Sequence, residues 1–170
     1  FWVGPTEALR YRAMFEEIEM PWSWPVEVCA HEAEAFCRWL GGGARLPTEA
    51  EHHALAQHAP LTDGDVISHP GYNLGFRFTS PSPVDHFAPT PDGIYDAYGN
   101  VWQWLSDDFA PLPGFAAHPL YDDFSEPYFD ADHATLRGGS WATTGAGASR
   151  FYRLWFRRHF YQHAGFRVAR

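Results

Sequence analysis

A chain of 170 residues and 19.3 kDa, 45% hydrophobic and 18% aromatic, carries enough apolar material for one packed domain and argues against disorder. The formal net charge is -9 and all twelve basic residues are arginine, which excludes lysine Schiff-base chemistry and a P-loop lysine. No apolar run approaches the roughly 20 residues of a membrane span, and no signal-peptide pattern is present, so no membrane partner is expected.

The chain begins at Phe1 rather than Met, which reads as a fragment or a processed product. Residues 1–28 read as irregular and aromatic, with "MPWSWPVEV" leading into a helix. In "HEAEAFCRWL" the residues Ala33, Phe36, Cys37 and Leu40 fall at i, i+3, i+4 and i+7, one helical face, and Gly41 to Gly43 end it. Cys29 and Cys37 fit no CxxC spacing, and unpaired thiols point to a reducing, cytoplasmic setting.

"LPTEAEHHALAQHA" predicts a second helix opened by a capping box, Thr48 with Glu51. His52, His53 and His58 on it read as solvated. From residue 60 onward loops and short strands dominate. "DAYGNVWQWLSDDF" places a Gly-Asn turn before a strand, and "ATLRGGSWAT", "RFYRLWF" and "GFRVAR" predict three more. These patterns stop at a small α+β domain with much irregular coil.

The tail from Arg150 to Arg170 holds six of the twelve arginines, seven aromatics and no carboxylate. Such a segment suits a basic arm, a metal site on His159 and His163, or a folded pocket. Arms are usually lysine-rich and solvated, whereas this one is full of Phe, Tyr and Trp. Packing against the acidic body is expected, and no nucleic-acid partner.

The ordered set "RLPTEAE", "DAYGNVWQWLSD", "LRGGSW" and "AGFRVAR" resembles the formylglycine-generating-enzyme-like (sulfatase-modifying factor) family, from about Pro25 to Arg170. The resemblance implies a C-type-lectin-like α+β fold, with residues 1–170 as one domain truncated at its N-terminus. The copper oxidases of this family carry two cysteines just after the GGS motif. Thr143 and Ala148 stand there, so the oxidase reading is rejected.

A narrower resemblance links "RYRAMFEEIEMPWSWPVEV", "YNLGFRFTSPSPV", "LPGFAAHPLYDDFSEPYFD" and "FRRHFYQHAGFR" to the ovothiol-pathway sulfoxide synthases, the 5-histidylcysteine group, with the ergothioneine-pathway synthases as sisters. That implies Fe(II) and O2 joining L-cysteine to the imidazole of L-histidine. It also implies that three histidines of a separate DinB-like helical domain, with an HxxxHxE motif, hold the iron. No iron site is expected in this chain; in "RRHFYQH" Gly165 takes the carboxylate's place, leaving His159 and His163 structural. This chain alone is expected to be inactive.

By that resemblance Tyr121 aligns with a catalytic tyrosine, whose phenol can donate a proton at short range. Phe124 aligns with a second tyrosine facing the trimethylammonium group in the ergothioneine enzymes. Arg153 and Trp155 fall at substrate contacts. An arginine suits the carboxylate of free histidine, where a trimethylated acceptor favours an aromatic cage. Arg157 and Arg158 are expected to pair with the acidic "YDDFSEPYFDAD" loop, and Asn100 stands where relatives can bind structural calcium. A non-catalytic binding module on the same fold is the alternative.

Overall fold

The computed structural model describes residues 1–59 and 69–170. Three strands, β1 (Trp2–Val3), β2 (Arg10–Arg12) and β3 (Glu17–Glu19), form an antiparallel meander where the sequence predicted irregular chain. Strands of two or three residues are too short to show alternation. The meander is pinned by Tyr11, which is buried, donates its hydroxyl to the Glu27 carboxylate and meets Trp24 edge-on at 5.5 Å.

Helix α1 (Ala30–Leu40) starts where the Glu32 carboxylate accepts the Cys29 N–H at 3.0 Å. It ends at Gly41, whose φ of 65° suits glycine. Its buried line is Ala30, Ala33 and Cys37, while Phe36 and Leu40 are 41% and 38% exposed. The predicted face was therefore rotated toward the larger side chains. The small ones pack inward because they let the helix lie close to the sheet.

Helix α2 (Glu49–Ala56) carries the predicted capping box: Thr48 Oγ1 accepts the Glu51 N–H at 3.1 Å, and the Glu51 carboxylate accepts the Thr48 N–H at 2.8 Å. Arg45 grips the same carboxylate at 2.7 and 2.6 Å, and these bonds hold the Glu51 pKa at about 2.

The four predicted C-terminal strands are all present. They are β4 (Trp102–Asp108), β5 (His133–Arg137), β6 (Leu154–Arg157) and β7 (Ala164–Phe166), in the order β6-β5-β4-β7. Only the β4–β7 pair is parallel. Leu136 lies opposite Trp104 and Leu154, and Ala134 opposite Phe156, so one face of the sheet is apolar. It packs on Ala30, Ala33 and Cys37 of α1. Trp104 is fully buried and donates its indole N–H to the Val28 carbonyl at 2.9 Å.

A second cluster gathers Ala56 of α2 with Tyr72, Leu74, Tyr98 and Ala148. It needs the glycines of "RGGSW": at Gly139, φ is 79° and a Cβ would stand 2.8 Å from that of Ala148. His52 also lies inside, fully buried, contrary to the solvated reading. Among the described residues neither of its ring nitrogens has a partner. Burial pushes its pKa down to about 3, helped by Arg137, Arg167 and His53.

The tail is folded into the body. The Glu27 carboxylate accepts a hydrogen bond from His163 Nδ1 at 2.7 Å, the His163 ring lies against Trp141, and His159 stacks on Phe160. Arg158 bonds Glu34 at 2.9 Å and Asp108 at 2.5 Å, not the acidic loop expected to hold it. Partners 124 and 50 residues away carry no local signal in the sequence.

Candidate functional site

The second face of the sheet is set by alternation. Where Ala134, Leu136, Leu154 and Phe156 face α1, the intervening residues must face the other way. These are His133, Thr135 and Arg137 on β5 and Trp155 and Arg157 on β6, with Arg153 just before it. Register puts Thr135 opposite Trp155 and His133 opposite Arg157. A short stretch of antiparallel ladder and its approach thus present three cations, an imidazole and an indole on one surface.

Trp155 is the centre of this surface. Phe109, just beyond β4, stacks on it at 4.6 Å with 14° between the planes. Phe124 meets it edge-on at 5.2 Å, and Tyr128 lies at 5.3 Å. Phe124 is carried there by a turn in which its N–H bonds the Tyr121 carbonyl at 3.2 Å. Tyr121 sits on the outside of that turn, 67% exposed, with its ring 5.9 Å from His118. Its hydroxyl has no hydrogen-bond partner among the described residues. Phe124 and Trp155 are therefore in direct contact, and Tyr121 is tethered to them through the backbone.

Arg153 stands over the Phe109 ring at 4.9 Å, in cation–π geometry. Its guanidinium is clasped by Glu49, with Nε to Oε1 at 2.8 Å and Nη2 to Oε2 at 2.9 Å, and Nη1 donates to the Ala110 carbonyl at 3.0 Å. Glu49 also accepts from buried Arg137 at 3.2 Å, and its own N–H donates to Asp107 at 2.7 Å. This buried carboxylate is shared by two arginines and fixes the first turn of α2 to the sheet. Sequence reasoning missed it, because Glu49 reads as an ordinary first-turn helix acid.

At the edge strand β6 the surface sinks into a hollow of about 410 Å³ that takes Trp155 from this face and Leu154 and Phe156 from the other, with Phe124, Tyr128 and Phe160 around it. His133 and Arg157 line it too. His133 is buried, and its Nδ1 faces the Asp130 carboxylate at 2.8 and 3.0 Å. That contact holds the Asp130 pKa below its ordinary value. Tyr128 and His133 were also missed; their only sequence signal was a place between the tyrosine loop and the "LRGGSW" motif.

Among the described residues no three His, Cys, Asp or Glu side chains converge as a metal site. No chemistry at iron is therefore assigned to them. Asn100 has φ 65° and accepts the Ser82 N–H on Oδ1 at 2.9 Å. Its amide donates to the Ser82 carbonyl at 3.0 Å and to Asp96 at 2.8 Å. Asn100 is thus tied to Ser82 and Asp96 through both ends of its side chain. At the former oxidase positions, Thr143 Oγ1 accepts the Ser140 N–H at 2.8 Å and Ala148 is buried. Cys29 and Cys37 are free and buried, beside and on α1.

Comparison with known proteins agrees with this architecture. Residues 9–170 match the sulfatase-modifying factor enzyme 1-like domain. The chain is 35% identical over 176 residues to hercynine oxygenase of Mycobacterium tuberculosis, covering 94% of this chain and 40% of that protein. It is 32% identical over 130 residues to ergothioneine biosynthesis protein 1 of Neurospora crassa, covering 75% and 15%. The chain thus spans about two-fifths or less of these relatives. Among solved structures, PvdO from Pseudomonas aeruginosa superposes with a TM-score of 0.66 at 21% identity, over 92% of this chain and 64% of that one, a likeness of fold.

Proposed function

The chain belongs to the sulfatase-modifying factor enzyme 1-like family, and from that premise we propose that it is the cleft-lining domain of a sulfoxide synthase. The reaction assigned is the iron(II)- and O2-dependent joining of L-cysteine sulfur to an imidazole carbon of L-histidine. In this reading a DinB-like helical domain elsewhere in the enzyme holds the iron, and this chain contributes the substrate-facing wall.

One observation carries the reading. The tyrosine loop and β6, some 30 residues apart in sequence, meet at Phe124 and Trp155, 5.2 Å between rings. Those are positions that family resemblance alone assigns to substrate. The likeness to a hercynine oxygenase along 94% of the chain supports the reaction class. Tyr121, exposed beside this contact and free at its hydroxyl among the described residues, is suited to pass its phenolic proton to the reacting pair.

The acceptor assigned is free rather than trimethylated histidine. Arg153 lies over Phe109, and Arg157 lines the neighbouring hollow. Arg153 is already clasped by Glu49, so the open guanidinium of Arg157 beside the aromatic walls is the group that opposes a permanent cation and suits a carboxylate. The test is acceptor competition in the iron-loaded, full-length enzyme. L-cysteine and O2 are supplied with equal L-histidine and hercynine, and both sulfoxides are read by mass spectrometry. Predominance of the histidine product is expected; predominance of the hercynine product would assign the chain to the ergothioneine branch instead.

A further inference from the structure

The hollow beside Trp155 has opposite polar groups at one end and rings along its sides. His133 and Arg157 are register partners on β5 and β6, so their side chains leave the same face of the sheet at neighbouring positions. Both line the hollow. Arg157 is exposed and has no ion pair among the described residues, although Arg153 and Arg158 on either side are both engaged with carboxylates. A planar guanidinium left open beside a concave aromatic wall is suited to a carboxylate ligand.

His133 complements it. Asp130 takes Nδ1 at 2.8 Å, which fixes the proton on that nitrogen in the neutral ring and leaves Nε2 as the acceptor. Tyr128 packs edge-on against the imidazole at 5.2 Å and holds its plane. Nε2 has no partner among the described residues. An acceptor backed by a carboxylate, on the cross-strand neighbour of an open guanidinium and lining the same hollow, matches the ammonium and carboxylate ends of an α-amino acid. Phe124, Trp155 and Phe160 then form the walls for its side chain.

We infer that His133 and Arg157 bind the two ends of an amino-acid zwitterion in this hollow, with Asp130 as the positioning residue behind His133. This rests on the reading of the Trp155 face as substrate-facing, and it names which residues recognise the amino-acid backbone of the acceptor. No covalent step is involved. Arg157 receives the carboxylate and His133 Nε2 accepts one ammonium N–H.

The test is calorimetric binding to the full-length protein of L-histidine, of histamine, which lacks the carboxylate, and of imidazole-propionate, which lacks the ammonium. Each missing charge-assisted contact should weaken binding roughly ten- to a hundredfold. Arg157→Gln, at an exposed position, should bring L-histidine down to the level of histamine while the preference over imidazole-propionate stays. Asp130→Asn should erode that second preference and leave the first. Wild-type discrimination persisting in Arg157→Gln would overturn the proposal, as would equal binding of all three ligands by the wild type. Failure of the parent reading looks different: discrimination intact in the binding assay, with no sulfoxide formed from any acceptor, would uphold the zwitterion site and remove the synthase.

Discussion

The two faces of the four-stranded sheet are made from alternate residues of the same strands, yet they differ in almost every property. Toward α1 the sheet presents Trp104, Ala134, Leu136 and Leu154 to small helix residues. Toward α2 it presents Arg137 and His133, with Arg153 and Arg157 from β6 and its approach, answered by Glu49 and Asp130. The first face gains its stability from apolar burial and close packing. The second must offset the desolvation of buried ions before it gains anything, so ion pairs there are weak evidence for stability. Their geometry teaches something else: Glu49 holds Arg153 and Arg137 still beside Trp155, while Arg157 is left open.

Substitutions on the two faces should separate these roles. The largest effect is expected from Trp104→Ala on the apolar face, about 3–5 kcal/mol of lost stability by chemical denaturation, because it leaves a cavity and strands the Val28 carbonyl. Glu49→Ala on the charged face should cost roughly 3 kcal/mol, since two arginines then lose their shared carboxylate. Replacing Glu49, Arg137 and Arg153 together with apolar residues should recover much of that loss yet leave substrate binding impaired. A triple variant with normal binding would show that the ion cluster has no positioning role.

A smaller, opposite effect is expected at His52. His52→Phe removes two buried nitrogens that lack partners among the described residues, and should stabilise the fold by about 1–2 kcal/mol at pH 7. The sign of its pH dependence follows from the lowered pKa. Below about 6.5 the unfolded chain binds a proton that the folded chain refuses until about pH 3. Wild-type stability therefore falls as pH drops through that range, and the advantage of His52→Phe should widen. Asp96 works the other way: burial pushes its pKa up to about 6, so acidification below that value relieves a cost of folding. Denaturation at pH 7 and pH 4.5 checks both signs, and a constant gap between His52→Phe and wild type would place His52 in contact with water.

Much of the fold was legible because it is local. The Thr48–Glu51 box, the glycine stop at Gly41 and the four C-terminal strands each declare themselves within a few residues. The N-terminal meander did not, because its strands are too short to alternate. The buried face of α1 was misplaced because small residues, not the largest, make the contact. His52 looked solvated in a polar run, though it is fully buried.

The site divides in the same way. Family resemblance picked out Phe124 and Trp155, which touch, and Tyr121 on the same turn. The clasp of Arg153 by Glu49 spans 104 residues, and the link of Arg137 to the same carboxylate spans 88. The Arg158 partners lay equally far from where local charge suggested. Pairings at that separation are decided by sheet register and helix placement, which no local pattern encodes. His133 and Asp130 are close in sequence but took meaning only when register set Arg157 opposite them.

The central claim is that the Trp155 face, with the Tyr121 turn, is where substrates meet. Its most direct test is the product ratio of Tyr121→Phe in the full-length, iron-loaded enzyme given L-cysteine, L-histidine and O2. The substitution removes one exposed hydroxyl, so the fold should be unaffected. The account predicts that sulfoxide formation falls at least about a hundredfold relative to wild type, the lower end of the range for a lost proton donor, with cysteine sulfinate rising in its place. Sulfoxide formation at the wild-type rate would contradict it.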